Sequence, residues 1–167
     1  MHAVVVFESL WGNTERIGRK IAAGIGEERT DVVDATSAPS VLDADVDLLV
    51  VGGPTHAFSM STAMTRESAK QQGAEHTPAR GIREWIEAHQ SPRRAILVAT
   101  FDTRVVSPRL PGSAARKAMK RLVGLGYRPV AKPETFGVHG YSGPVADGEL
   151  ERARRWGMEL ARLMPVG

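Results

Sequence analysis

The chain has 167 residues, 42% of them hydrophobic and 25% charged, which suits one soluble globular domain spanning 1–167. It has no cysteine, which excludes disulfides, thiolate metal sites and a cysteine nucleophile. The net charge of +3 is uneven, with 4 basic and 9 acidic side chains in residues 1–60 but 10 basic and 5 acidic in 113–167.

Val4-Val5-Val6-Phe7 is a continuous apolar run, the pattern of a strand covered on both faces of a parallel sheet. Ile17, Ile21 and Ile25 recur at spacing four and predict a helix beginning near Asn13 or Thr14, either of which can cap it. Between them lies Ser9-Leu10-Trp11-Gly12-Asn13-Thr14. The first N–H groups of a helix have no intrahelical partner, and Ser9, Asn13 and Thr14 add side-chain donors, so this loop is read as an anion site for a phosphate. A P-loop needs a lysine after its last glycine, and a dinucleotide fingerprint needs three spaced glycines; neither is present.

Further along, Asp31–Ala35 predicts a short second strand and Asp47–Pro54 a third. Ser59–Thr77 is polar and weakly patterned, and is read as a long loop with a helical turn. A helix is expected over about Ala79–His89, a fourth strand over Arg94–Phe101, and a loop over Pro108–Gly112. Ala115, Met119, Leu122 and Val123 mark a helix ending at Gly124 or Gly126. Tyr127–Val138 is extended but broken by Pro129 and Pro133, which predicts a split or edge strand. Leu150, Ala153, Trp156, Leu160 and Leu163 mark the last helix.

This alternation predicts an α/β fold: a three-layer α/β/α sandwich on a five-stranded parallel sheet of order 2-1-3-4-5. Such sheets bind ligands beyond the carboxyl ends of their strands, at the switch point between strands one and three. Those ends are Ser9–Thr14, the segment Pro54-Thr55-His56-Ala57-Phe58, and Thr100-Phe101-Asp102-Thr103-Arg104.

The chain resembles the flavodoxin family, most specifically through Val5, Val6, Phe7, Ser9, Gly12, Thr14 and Ile21, with Gly18 where the family usually has alanine. The resemblance implies FMN, with its phosphate on Ser9–Thr14 and its ring between residues 54–58 and 100–104. Phe58 and Phe101 are the implied walls. It also implies electron transfer with a redox partner protein, which the basic second half predicts to be acidic. Ser59 and Met60 follow Phe58 where electron-carrying flavodoxins often place glycine and then an acidic residue. A turn there that favours positive φ would strain Ser59, so the two one-electron reductions are expected to lie close together.

Two other functions stay open: an NAD(P)H-dependent FMN or quinone reductase on this fold, and a binding or regulatory module without flavin. NAD(P)H oxidation with a quinone separates the first, and the colour of the purified protein the second. A phosphoacceptor domain is excluded, because the third strand ends in Gly52-Gly53-Pro54 rather than aspartate.

His56 is a candidate proton donor or ring-edge contact. The remaining histidines, His2, His76, His89 and His139, form no ligand spacing, so no metal is expected. The basic residues lack interleaved aromatics and read as solvated helix faces, so no nucleic acid is expected. No apolar run reaches the roughly 18 residues of a membrane span, and no signal peptide is read before the first strand, which together predict a cytoplasmic protein.

Overall fold

The computed structural model describes residues 1–165. The sheet is built on β1 (Ala3–Phe7), β2 (Thr30–Asp34), β3 (Leu48–His56), β5 (Leu97–Val105) and β6 (Arg128–Pro129), in the order β2-β1-β3-β5-β6 with every pairing parallel. A short β4 (Ser59–Met60) folds back antiparallel on β3, and β7 (Glu134–Val138) runs parallel to β5. The expected fifth strand is therefore split. β6 pairs with the start of β5 at Leu97 and Val98, and β7 with its end from Phe101 to Val105. Pro129 and Pro133, which have no N–H to give a ladder, bracket the break.

The aliphatic strands bury both faces. Val4, Val6, Leu49 and Val51 pack with Trp85 of α3 (Ile82–Ala88) and with Met119 and Leu122 of α4 (Ala114–Gly124). Val5, Leu48 and Val50 pack with Ile17 and Ile21 of α1 (Asn13–Ile25) and with Trp156 and Leu160 of α5 (Glu149–Leu163). The side-chain period of two sends alternate residues to opposite layers.

Three expectations change. Ser59–Thr77 is not mainly loop: it holds β4 and a helix α2 (Ala63–Gln71), started by a capping box between Thr62 and Thr65. Only Arg66 and Ala69 of α2 are buried, so no apolar stripe announces it. Strands β3 and β5 run further than expected, and Thr55, His56 and Asp102–Arg104 are strand because β4 and β7 pair with them. Finally, the cap of α1 is Gly12, at φ 89 and without a side-chain bond, rather than Asn13 or Thr14.

Candidate functional site

The loop from β1 into α1 places its donors at the sheet's carboxyl edge. The Ser9 hydroxyl accepts the Glu15 N–H at 3.3 Å. The N–H groups of Asn13 and Thr14, in the first turn of α1, have no acceptor among the described residues. Thr14 Oγ1 and Thr103 Oγ1 share a buried hydrogen bond of 2.8 Å, which ties α1 to β5. A cavity of about 50 Å³ opens there, lined by Ser9, Asn13, Thr14 and Thr103 among others, with no carboxylate in its wall. Its donor set, free N–H groups at a helix N-terminus plus hydroxyls, fits a phosphate.

Glu8 is an acid directly before this loop, yet its side chain turns away from it. It is fully buried and accepts from the Ile82 N–H at 2.9 Å and from the Ser61 hydroxyl. Arg66, also buried, donates to Ser61 Oγ at 2.8 Å and pairs with Glu84. Burial pushes the Glu8 carboxyl up, while the Ser61 and Ile82 bonds and the Arg66 charge pull it down. The network joins the end of β1 to β4, α2 and α3, so the loop from β1 into α1 and the α2 wall of the site share one buried anchor. Sequence reasoning missed it, because Glu8 stands alone in the motif and Arg66 lies on a helix with no apolar stripe.

The second half of the site is built on the β3–β4 hairpin. His56 pairs with Ser59, leaving Ala57 (φ 45) and Phe58 (φ 68) as its two central residues. A tight hairpin of this type asks for positive φ at both positions, which asparagine and glycine take most easily. The strain expected at Ser59 therefore falls on Ala57 and Phe58, and Ser59 lies in regular strand. Phe58 ends 52% exposed. Gly112 passes directly against its backbone: at φ 91 with a Cβ it would collide with the Phe58 carbonyl.

Phe58 enters a cavity of about 470 Å³. Trp11 and Tyr141 add two more rings, 6.3 Å apart between centroids. One face of α2 forms another wall through Thr65, Ser68 and Ala69, continued by its C-cap Gln72, and the segment after β5 closes it with Pro108, Leu110 and Pro111. Tyr141 sits on a loop pinned by the His139 N–H to Pro144 carbonyl bond and by the Val138–Val145 bridge. The large and small cavities share Trp11, Thr55, His56, Arg104, Val105, Gly140 and Tyr141, so they form one continuous site. His56 Nδ1 lies 3.4 Å from Thr65 Oγ1, and burial, helped by the Arg66 charge, holds its pKa down to about 4. It is a neutral imidazole at the junction of the two cavities.

Of the residues expected at the site, Ser9, Leu10, Trp11, Asn13, Thr14, Pro54, Thr55, His56, Ala57, Phe58, Thr103 and Arg104 line one cavity or both. Gly12 is the helix cap beside them. Thr100, Phe101 and Asp102 line neither cavity. Phe101 is fully buried on the α1–α5 side, edge-on to Phe136 at 6.2 Å and 75°. Its strand partner is Gly52, where a Cβ would overlap the ring. The expected second ring wall is thus a core residue, and its strand register is the reason. Thr100 donates to the Ala115 carbonyl at 2.8 Å. Asp102 Oδ2 accepts from Thr55 Oγ1, Ser113 Oγ and the Ala115 N–H at 3.1, 2.6 and 3.0 Å, fastening the start of α4 beneath the hairpin. The missed lining residues are the α2 face, Val105, Ser107, Pro108, Leu110, Pro111, Val138 and Gly140-Tyr141. The one available signal was Tyr141, an aromatic just past the end of the fifth strand.

No protein-family model matches the chain. No curated protein matches it either. Among solved structures, flavodoxin 1 from Bacillus cereus superposes with a TM-score of 0.69 over 99% of this chain and 100% of its own, at 17% identity. The fold is flavodoxin-like. A flavodoxin from the domain Archaea matches over 97% of both chains at 18% identity (TM-score 0.64). The flavodiiron core of Flv1 from Synechocystis matches 97% of this chain but only 35% of its own (TM-score 0.56, 14% identity). The flavodoxin-like chain thus matches the full length of the flavodoxins and about a third of the larger Flv1 flavodiiron core. No helix among its described residues is long and apolar enough to cross a membrane.

Proposed function

We propose that this flavodoxin-like chain binds FMN and works as a redox protein. The observation that carries the proposal is the continuity of two unlike cavities. One is a small anion cradle at the start of α1; the other is a large cavity with three aromatic rings. A ligand with a phosphate on a tether and a flat apolar ring system matches that pair. When bound, FMN supplies the electron-transfer chemistry, and the protein supplies binding and electrostatics.

The unpaired N–H groups of Asn13 and Thr14, with the Ser9 hydroxyl, hold the phosphate. The Thr14–Thr103 bond keeps that cradle fixed against β5. Phe58, Trp11 and Tyr141 offer apolar faces to the ring, and Leu110 and Pro111 exclude water from it. Neutral His56 offers a hydrogen bond at the junction without adding charge there. Asp102 acts one step back, holding Thr55 and the start of α4 in place.

Titration of the unloaded protein with FMN and with riboflavin tests the assignment. The cradle acts only on the phosphate, so FMN should bind at least about tenfold more tightly. Equal affinity for the two would remove the anion site from the account.

A further inference from the structure

We propose that the mouth of the ring cavity is a docking surface for an acidic protein; the proposal rests on the FMN assignment only for what the docked partner would exchange. Phe58, Met64, Val106, Leu110 and Tyr141 are 52, 80, 46, 54 and 67% exposed, and all sit on or beside the segments that wall this one cavity. Met64 and Val106 stand outside its wall, so a molecule held in the cavity leaves them uncovered. A cluster of exposed apolar side chains of this kind marks an interaction site on a soluble protein.

The charge around the patch is mainly basic, although Glu67 lies one turn from Met64 on α2. Among the described residues Arg104 is the only charged one in the wall of either cavity, and His56 there is neutral. From Thr103 to Pro133 the sequence carries Arg104, Arg109, Arg116, Lys117, Lys120, Arg121, Arg128 and Lys132, with no Asp or Glu. Arg121 is paired with Glu87, whereas Arg104, Arg109, Arg116 and Lys117 have no carboxylate partner among the described residues. Arg109 neighbours Leu110, and Arg116 and Lys117 lie in the first turns of α4, just after Gly112, which packs on Phe58. An apolar centre with a basic rim is complementary to a partner with an acidic rim. A second copy of this chain would bring the same arginines face to face. Three of the five exposed side chains, Met64, Val106 and Leu110, are not aromatic, which favours a protein over stacked bases.

The test is amide NMR of the isotope-labelled chain, unloaded and FMN-loaded. An acidic [2Fe–2S] ferredoxin serves as anionic probe, cytochrome c as cationic probe and oligo(dT) as nucleic-acid probe. The ferredoxin should perturb amides around Phe58, Met64, residues 104–117 and Tyr141. Its affinity should fall at least about tenfold between roughly 20 and 200 mM salt. The Arg109→Glu/Lys117→Glu variant should abolish the effect and Met64→Ser should weaken it, with FMN affinity unchanged in both. The inference is overturned if the ferredoxin perturbs nothing or a different face. Cytochrome c or oligo(dT) binding as well as the ferredoxin, or binding that ignores salt and the charge reversals, overturns it too. Because the unloaded chain is included, a failure of docking is separate from a failure to bind FMN.

Discussion

Replacing Phe101 with leucine separates a core ring from a cofactor wall. The ring is fully buried, covers Gly52 and meets Phe136 edge-on at 6.2 Å. Such an aromatic pair contributes about 0.5–1.5 kcal/mol beyond its buried area. Leucine also leaves part of the ring's volume empty, so the total loss should be about 2 kcal/mol. For a domain of this size that lowers Tm by about 4–8 °C. FMN affinity should stay within about twofold, because the ring does not reach either cavity. Phe58→Leu should behave in the opposite way. Half exposed on a hairpin tip, it should change stability by less than about 0.5 kcal/mol. Its loss as a ring face should weaken FMN binding by about 1 kcal/mol, roughly fivefold. Urea denaturation and an FMN titration on each variant decide the matter. A Phe101→Leu protein of normal stability that binds FMN poorly would refute this placement of the two rings.

Gly18→Ala should stabilise the protein by about 0.5–1 kcal/mol, because alanine is the better helix former. The new Cβ would sit 3.5 Å from Phe101 Cζ and Val5 Cγ1, an ordinary contact, and a lowered urea midpoint would show that α1 lacks that room. Ala57→Asn should raise stability by a similar amount, about 0.5–1 kcal/mol, since asparagine tolerates the positive φ that alanine resists. An unchanged or lower midpoint would mean that the hairpin is not strained there. Stability should also fall as pH drops from 6.5 toward 4. Burial holds His56 and His89 near a pKa of about 4, whereas the unfolded chain takes up these protons around 6.5 and so binds more of them in that interval. Urea midpoints at several pH values should show the decline, and His89→Gln should make it shallower; an identical slope in the variant would contradict it.

Much of the architecture was legible because it rests on local patterns. Val4–Phe7 and Leu48–Val51 are buried on both faces, so they read as unbroken aliphatic runs, and Ile17, Ile21 and Ile25 face one core. The clustering of donors in the loop from β1 into α1 was legible because Ser9, Asn13 and Thr14 are neighbours in sequence. Helix α2 was not, because the face it shows to the cavity is Thr65, Ser68 and Ala69, small and mostly polar. Nor was the orientation of Phe101, since a ring at a strand's end points into the core or out of it according to register with Gly52. The positive φ expected at Ser59 falls one and two residues earlier, on Phe58 and Ala57, because β4 pairs Ser59 with His56, a tertiary fact with no local signature. Tyr141 joins Trp11 across 130 positions of chain only once β7 lies beside β5.

The central claim is that one chain holds one FMN by its phosphate and ring together. It is tested most directly by adding FMN to the purified protein, removing free ligand by gel filtration, and reading the visible absorbance of the protein fraction. The account predicts a yellow protein carrying stoichiometric flavin, and loss of that flavin when riboflavin is used instead. A colourless protein after FMN treatment would contradict it.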